Sequence, residues 1–255
     1  MISSNIKPSM SRWKSIFKRR QKVIAVFSFR FDAHLVPDLL ANIDPIVDGW
    51  IAYDDRLSTG VFSNEVERRR ALIGAARNAG ADWILAVDPD ERFEGSVSSQ
   101  ISELTSRKGR IAWGFNFREL YAPDSYRIDG IWGAKIRYCL FRAFNPSERT
   151  DTGLHDLWYP RNAGFKEMRC GLNLYHLKMI DPGRRAARRD LYSFLDPDRR
   201  DQPIGYDYLA DETGVRLEPI PQDRQYHPPH MDDGGLWMFD LGAGAQASEG
   251  RPGQS

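Results

Sequence analysis

The most informative segment of this chain is Ala81-Asp82-Trp83-Ile84-Leu85-Ala86-Val87-Asp88-Pro89-Asp90-Glu91. Its middle is an unbroken apolar run, which is typical of a strand buried on both faces of a parallel sheet. Three acidic residues, Asp88, Asp90 and Glu91, end the stretch. In open α/β sheets, ligands bind just beyond the carboxyl ends of the strands. The stretch therefore predicts a buried strand that delivers three acids to a binding edge.

Two earlier apolar runs predict strands beside this one. The first is Val23-Ile24-Ala25-Val26-Phe27, and the second, Trp50-Ile51-Ala52-Tyr53, ends at the acidic pair Asp54-Asp55. A short helix is expected at residues 35–43, and a longer one, with a good N-cap and a glycine stop, at residues 64–80. Strands that alternate with helices favour a parallel sheet. Asp54 and Asp55 are therefore expected at the same edge of the sheet as Asp88, Asp90 and Glu91.

The second half of the chain has less regular strand patterns. Strands are expected at residues 111–117, 135–144 and 172–180, and a short basic helix at residues 184–194. The predicted fold class is thus α/β, with an open sheet that is mostly parallel in the first half and mixed in the second. Residues 1–20 are read as a basic segment, residues 21–220 as one catalytic domain and residues 221–255 as a largely irregular tail.

Composition excludes several classes of protein. The 255 residues include 36 Lys and Arg against 35 Asp and Glu, a formal charge of +1, which gives no reason to expect a nucleic-acid partner. The two cysteines, Cys139 and Cys170, lack metal or disulfide spacing, which favours a reducing compartment. No apolar run approaches the roughly 18 residues that a spanning helix needs. A cytoplasmic protein is expected.

The first twenty residues allow two interpretations. Trp13, Ile16 and Phe17 would share one face of a helix that is surrounded by basic residues. Such a pattern is typical of a short helix on the anionic inner face of a membrane. A solvated basic tail explains it equally well.

Paired carboxylates at the end of a buried strand suit a hard divalent cation. Mn²⁺ and Mg²⁺ prefer oxygen ligands, and often take one or two protein carboxylates while phosphate and water complete the shell. Asp88 and Asp90 would supply the protein share. A second acid-x-acid motif, Asp196-Pro197-Asp198, follows a polar and arginine-rich stretch, so it predicts a turn instead.

The first half of the chain resembles the family 2 glycosyltransferases and their relatives with the GT-A fold. Three segments carry the resemblance: the first strand from Val23 to Phe29, the segment from Asp54 to Thr59, and the stretch 81–91. The likeness covers residues 21–95, and more loosely residues up to about 180. It implies a metal-dependent enzyme that moves a sugar, with inversion, from a nucleotide-sugar donor to a hydroxyl group of a glycan or glycoconjugate.

The resemblance also implies roles for donor-side residues. Asp90, together with Asp88, would hold the metal, and Asp54 or Asp55 would read the nucleoside. Asp32 follows the first strand at a greater distance than the family's usual acid, so its contact with the nucleobase stays open. His176 matches the position of a later histidine that can bind the metal, although a buried, hydrogen-bonded histidine on an apolar strand explains it as well.

Acceptor-side residues are less specific. Asp156, Glu119 and Asp129 compete for the role of the base, and Asp156 is favoured because it follows His155, as in the His-acid pair of related enzymes. Glu91 could contact a sugar or cap the following segment. Two aromatic residues, Trp132 and Trp158, could stack on a sugar ring or be ordinary core residues. Four arginines could bind a phosphate or an acidic acceptor, or could form a solvated helix face: Arg184, Arg185, Arg188 and Arg189.

Other functions fit less well. The glycine pattern Gly242-Ala243-Gly244 formally suits a dehydrogenase, but it lies in the tail, with no acid about 20 residues further on. A sugar-phosphate nucleotidyltransferase would place a glycine-rich loop after the first strand, where Phe29-Arg30-Phe31 stands. A non-catalytic scaffold or carbohydrate-binding protein with the same fold remains an alternative.

Overall fold

The computed structural model describes residues 1–7, 20–30, 32–57, 65–148, 157–160, 163–200 and 202–230. Within these ranges a mixed open sheet and its helices confirm the expected α/β class. The strands are β1 Ile2–Ile6, β2 Val23–Phe29, β3 Gly49–Asp54, β4 Trp83–Ala86, β5 Glu91–Phe93, β6 Ile111–Ala122, β7 Ser125–Arg127, β8 Ile136–Arg142, β9 Lys166–His176 and β10 Leu217–Pro219. The helices are α1 Val36–Ile43, α2 Glu65–Asn78, α3 Val97–Ser106 and α4 Pro182–Leu195.

Strand β2 lies between β3 and β4 and pairs with both in parallel. Its side chains alternate between two hydrophobic clusters: Ala25 and Phe27 pack on one face of the sheet, while Ile24 and Val26 pack on the other. Both faces are buried, which explains why the run carries no polar residue. The carboxyl ends of all three strands therefore open at one edge.

The second half of the sheet is mixed. Strand β8 continues the sheet from β4 in antiparallel pairing, and β6 pairs antiparallel with β8. Strand β9 is bonded on one side to β5, antiparallel, and on the other to β6, parallel. This placement sets His176 opposite Glu91 on β5 and opposite Glu119 on β6. It thus brings the end of β9 to the acids that follow β4.

The ends of the described chain are more closely packed than the sequence suggested. Residues 2–6, read as part of a separate basic segment, form an edge strand that pairs antiparallel with β3. Its sequence, Ile-Ser-Ser-Asn-Ile, is mostly exposed, so no apolar pattern marked it. Trp13, Ile16 and Phe17 lie outside the described residues. None of the helices in the described ranges has the length and apolar character to cross a bilayer.

At the other end, the packing continues past residue 220. The Tyr226 side chain is buried, and the Asn42 amide donates to the carbonyl oxygen of His227 at 2.8 Å. Strand β10 also pairs with β7. The part expected as a tail is therefore packed on the domain as far as residue 230.

Candidate functional site

The acids after β4 form a tight turn. The Glu91 amide donates to the Asp88 carbonyl at 3.0 Å, and the Asp88 amide donates to Oε2 of Glu91 at 2.9 Å. Beneath the turn, the buried Arg92 guanidinium donates to the carbonyl oxygens of Pro89 at 2.7 Å, Glu91 at 2.7 Å and Leu35 at 3.1 Å. A buried guanidinium needs such acceptors. The backbone that carries the acids is thus fixed before any ligand arrives.

Two of the acids share one arginine. Nη2 of Arg137, on β8, lies 2.9 Å from Oδ2 of Asp88, and its Nε lies 2.7 Å from Oε1 of Glu91. The Asp88 side chain is 45% exposed, whereas that of Glu91 is 1% exposed. Burial raises the pKa of the Glu91 carboxyl to about 7, although the charge of Arg137 opposes this. Asp88 is therefore open to a ligand, while Glu91 supports the turn and offers no surface to a sugar.

Asp90 faces a histidine that has a second carboxylate behind it. Oδ2 of Asp90 lies 3.3 Å from Nε2 of His176, and Oε2 of Glu119 lies 2.8 Å from Nδ1 of the same ring. The Lys135 ammonium donates to the other Glu119 oxygen at 2.9 Å. Four charged or ionisable side chains thus form one chain, Asp90, His176, Glu119 and Lys135, which is called the histidine relay below.

The ionisation of the relay follows from its contacts. Burial would lower the pKa of His176, but the charges of Glu119 and Asp90 raise it overall. Burial alone would raise the pKa values of Asp90 and Glu119, and the charge and hydrogen bond of His176 instead carry both below their usual range. Opposite charges are therefore the stable state of this buried group.

Further cations surround Asp90. Lys178 follows His176 in a 3-10 turn, and the Leu177 amide of that turn donates to the Asp90 carbonyl at 2.8 Å. Burial, with a smaller effect of the Arg188 charge, lowers the pKa of Lys178 to about 8. The charges of Arg188 and Lys178 also favour the ionised form of Asp90. Positive potential at this edge suits an anionic ligand.

The acids expected to read the nucleoside are only partly free. Oδ2 of Asp55 accepts from Arg68 at 2.7 Å, and Arg68 in turn pairs with Glu65 at the start of α2. Asp54 accepts from the exposed Arg56 at 2.7 Å. Burial raises the pKa of Asp32 to about 7, and the charge of Asp90 adds to the effect. Asp32 is therefore within electrostatic reach of Asp90, and Asp55 is held against α2.

Several expected ligand contacts are core residues. Trp132 packs on Tyr121 and lies under the Lys135 ammonium, which is 4.0 Å from the ring centre. Trp158 is buried on the other face of the sheet, where the Arg69 guanidinium lies 5.0 Å from its ring centre. Both rings are buried, so in the described structure they pack as core residues, and their stacking on a sugar stays a prediction. Their local sequence did not show on which side of the sheet they would pack.

Two of the four arginines of α4 do not lie on a solvated face. Arg184 and Arg185 are buried. Arg185 donates to the Met179 carbonyl at 2.6 Å, pairs with Glu212 and lies 4.4 Å from the Tyr121 ring centre. Their role in the described structure is to pack α4 onto the sheet.

The three candidate bases differ in position. Glu119 lies inside the histidine relay with 1% of its side chain exposed. Asp129 is bonded to Nε of Arg127, at 2.9 and 3.0 Å, and to the Arg216 amide. Both are engaged in contacts within the fold. Asp156 lies outside the described residues.

The second acid-x-acid motif forms a turn, as predicted. Asp196 follows α4, and its carboxylate accepts from the Arg200 amide, the Gln202 amide and the Tyr206 hydroxyl. These bonds use the Asp196 oxygens inside the fold. Asp198 is exposed and pairs with Arg200.

Sequence reasoning missed four basic residues of the site: Arg92, Lys135, Arg137 and Lys178. Each stands in or beside a strand of the sheet, and Arg92 is buried. A charge in such a position needs a partner of opposite sign. Their positions could have suggested ion pairs with the acids after β4, but not which basic residue pairs with which acid.

The arrangement could hold one divalent cation. In the described part of the chain, no three His, Cys, Asp or Glu side chains cluster as a complete metal site. Asp90 and His176 nevertheless place an oxygen and a nitrogen 3.3 Å apart, and both atom types suit Mn²⁺. A cation here would need further ligands from water or phosphate, which is usual for Mg²⁺ and Mn²⁺ beside a diphosphate.

Comparison with known proteins adds little. The sequence matches no family model and no curated protein. Among solved structures, it is similar to a glycosyltransferase involved in the glycosylation of the major capsid of PBCV-1. The sequence identity is 11% and the TM-score 0.36, over 61% of this chain and 94% of that chain. At this similarity, the activity of the present chain has to be inferred from its own residues.

Proposed function

We propose that this chain is a metal-dependent glycosyltransferase of the GT-A type, which moves a sugar from a nucleotide-sugar donor to a hydroxyl group of a glycan or glycoconjugate. One observation carries the proposal: Asp90, in the turn after the parallel strand β4, lies 3.3 Å from the imidazole of His176. This carboxylate and imidazole stand at the edge where open sheets bind ligands.

Asp90 and His176 would hold Mn²⁺ or Mg²⁺, and the open Asp88 carboxylate would add a contact directly or through water. When bound, the cation would offset the negative charge that develops on the leaving diphosphate. Arg137 keeps Asp88 and Glu91 together without net repulsion, because it lies between them. Lys178 and Arg188 would favour the anionic donor at the same edge.

The donor would lie across the carboxyl ends of β2, β3 and β4. Asp32, Asp54 and Asp55 stand at or just beyond the first two of these ends and would contact the nucleoside. Asp55 is held in place by Arg68, so it could accept a hydrogen bond from a ribose hydroxyl without first having to be ordered.

Transfer itself needs a base on the acceptor side. The base takes the proton of the acceptor hydroxyl, the hydroxyl oxygen bonds to the anomeric carbon, and the bond from that carbon to the diphosphate oxygen breaks. Attack from the opposite side of the sugar ring would invert the anomeric configuration. Asp156 remains our proposed base, because Glu119 and Asp129 are engaged within the fold.

The test is a stability and activity panel. Mn²⁺ together with uridine, guanosine or thymidine diphosphate should raise the melting temperature more than either component alone, because a ligand that binds only the folded state stabilises it. Hydrolysis of the matching nucleotide sugar should follow. Joint stabilisation without turnover on any donor would favour the non-catalytic binding protein, and no stabilisation would overturn the assignment.

A further inference from the structure

The two sides of the His176 ring are not equivalent. On one side, Nδ1 lies 2.8 Å from a Glu119 carboxylate that is 1% exposed. On the other, Nε2 lies 3.3 Å from an Asp90 carboxylate that is 13% exposed. The shorter contact is on the closed side and the longer contact on the open side. A ligand from solvent could therefore reach the ring only at Nε2.

Glu119 is also held at the carboxylate oxygen that does not contact His176. Its second oxygen accepts from the Lys135 ammonium at 2.9 Å, and that ammonium rests on the Trp132 ring. The parallel register of β6 and β9 places Glu119 opposite His176. Phe117, two residues earlier on β6, packs its ring 4.8 Å from the imidazole. The strand pairing and these contacts leave the imidazole little freedom to turn.

We propose that Glu119 is a positioning residue for the cation site, rather than the base of the reaction. By accepting the Nδ1 hydrogen of His176, it directs Nε2 towards Asp90, so that Asp90 and His176 bind one cation together once that cation displaces the proton held between them. This inference rests on the proposed metal dependence. A carboxylate behind a ligating histidine fixes the ring tautomer and strengthens the ligand, and its loss typically costs about 10- to 100-fold in metal affinity.

The test is Glu119→Gln, which keeps the size of the side chain but removes its charge. Mn²⁺ affinity, measured by electron paramagnetic resonance, should fall about 10- to 100-fold, while circular dichroism stays that of the wild type. Asp129→Asn is the matched control, since that carboxylate is bonded to Arg127, and its affinity should not change.

A second readout separates positioning from a merely structural role. In protein loaded with diamagnetic Zn²⁺, nitrogen NMR of His176 should show the hydrogen on Nδ1 in the wild type, and a loss of this single tautomer in Glu119→Gln. A folded variant with unchanged Mn²⁺ affinity and an unchanged tautomer would overturn the inference alone. A wild-type protein that binds no Mn²⁺ would overturn the proposed metal dependence with it.

If Glu119→Gln does not fold, Lys135→Met decides the question. That change keeps every carboxylate but removes the ammonium that donates to Glu119. It should weaken Mn²⁺ binding in the same direction by a smaller factor and broaden the NMR signal of the Nδ1 hydrogen. Wild-type values of both quantities would count against a positioning role.

Discussion

Oδ2 of Asp90 lies 3.3 Å from Nε2 of His176, although the two residues belong to different halves of the sheet. The contact exists because β9 pairs with β5, which sets His176 opposite Glu91. It joins the acids of the parallel half to a histidine of the mixed half. One carboxylate and one imidazole side by side could supply two ligands of a divalent cation.

Replacing Asp90 by alanine should abolish the metal-dependent binding of a nucleoside diphosphate. The reason is that the carboxylate facing Nε2 of His176 is lost while the turn is still held by Arg92. Calorimetry with Mn²⁺ and the diphosphate measures the effect. Asp198→Ala is the matched control, because Asp198 is exposed in a turn, and its binding should stay near that of the wild type. Equal losses of binding in both variants would show that the metal and nucleotide site does not lie at the acids after β4.

His176→Ala should weaken Mn²⁺ binding and also lower the stability of the fold. The change removes the partner of Oε2 of the buried Glu119, and an unsatisfied buried polar group costs about 1–3 kcal/mol. Mn²⁺ titration and urea unfolding measure the two effects. We expect a folded protein with a lower midpoint. Unchanged metal affinity in a folded variant would leave His176 as a core histidine.

The stability of the protein should fall in acid because of the histidine relay. The pKa values of Asp90 and Glu119 are lowered in the folded state, so the unfolded chain binds more protons. Their contribution is complete above the ordinary values of 3.8 and 4.5, and it is lost as the pH falls below them. The free energy of unfolding, measured in urea between pH 6 and pH 3, should show this fall with decreasing pH. His176→Gln should flatten it, and an equal slope in both proteins would contradict the relay.

The two thiols should react slowly in the folded protein. Burial raises the pKa of Cys170 to about 11 and that of Cys139 well above its ordinary value. Since the thiolate is the reactive form, a pKa two units above the ordinary 9.0 lowers the reactive fraction of Cys170 about 100-fold. Iodoacetamide labelling at pH 7.5, followed by mass spectrometry, checks this. Both sites should label quickly in urea, and fast labelling of either one without urea would contradict the burial.

Asp156→Asn should lower turnover by a factor on the order of 10²–10⁴, the usual contribution of a general base. Donor and metal affinity should hardly change, because the carboxylate would act on the acceptor alone. Steady-state kinetics with the true acceptor, beside a nucleotide titration, tests both parts. Asp129→Asn serves as the control and should keep near-normal turnover. If Asp156→Asn keeps it too, the base is another residue.

The parallel half of the sheet and the turn at Asp196-Pro197-Asp198 could both be predicted from local sequence patterns. An unbroken apolar run such as Val23-Ile24-Ala25-Val26-Phe27 can be stable only where both faces are covered, and acids directly after such runs lie at the carboxyl edge. These properties are local, so they can be read along the chain. The expected acids Asp88 and Asp90 follow β4 for this reason.

The contacts between side chains of the site could not be predicted in this way, because they depend on how the strands pair. Whether Glu119 would face acceptor or core depended on β9 lying between β5 and β6, and on a register that shifts between Gly114 and Asn116. The link from Arg137 to Asp88 depended on β8 being next to β4. Strand pairing joins residues that are far apart in sequence, and a shift of one residue turns every side chain to the other face. Local sequence patterns do not specify which strands pair or in which register, so the partners of His176 and Asp88 could be identified only from the structure.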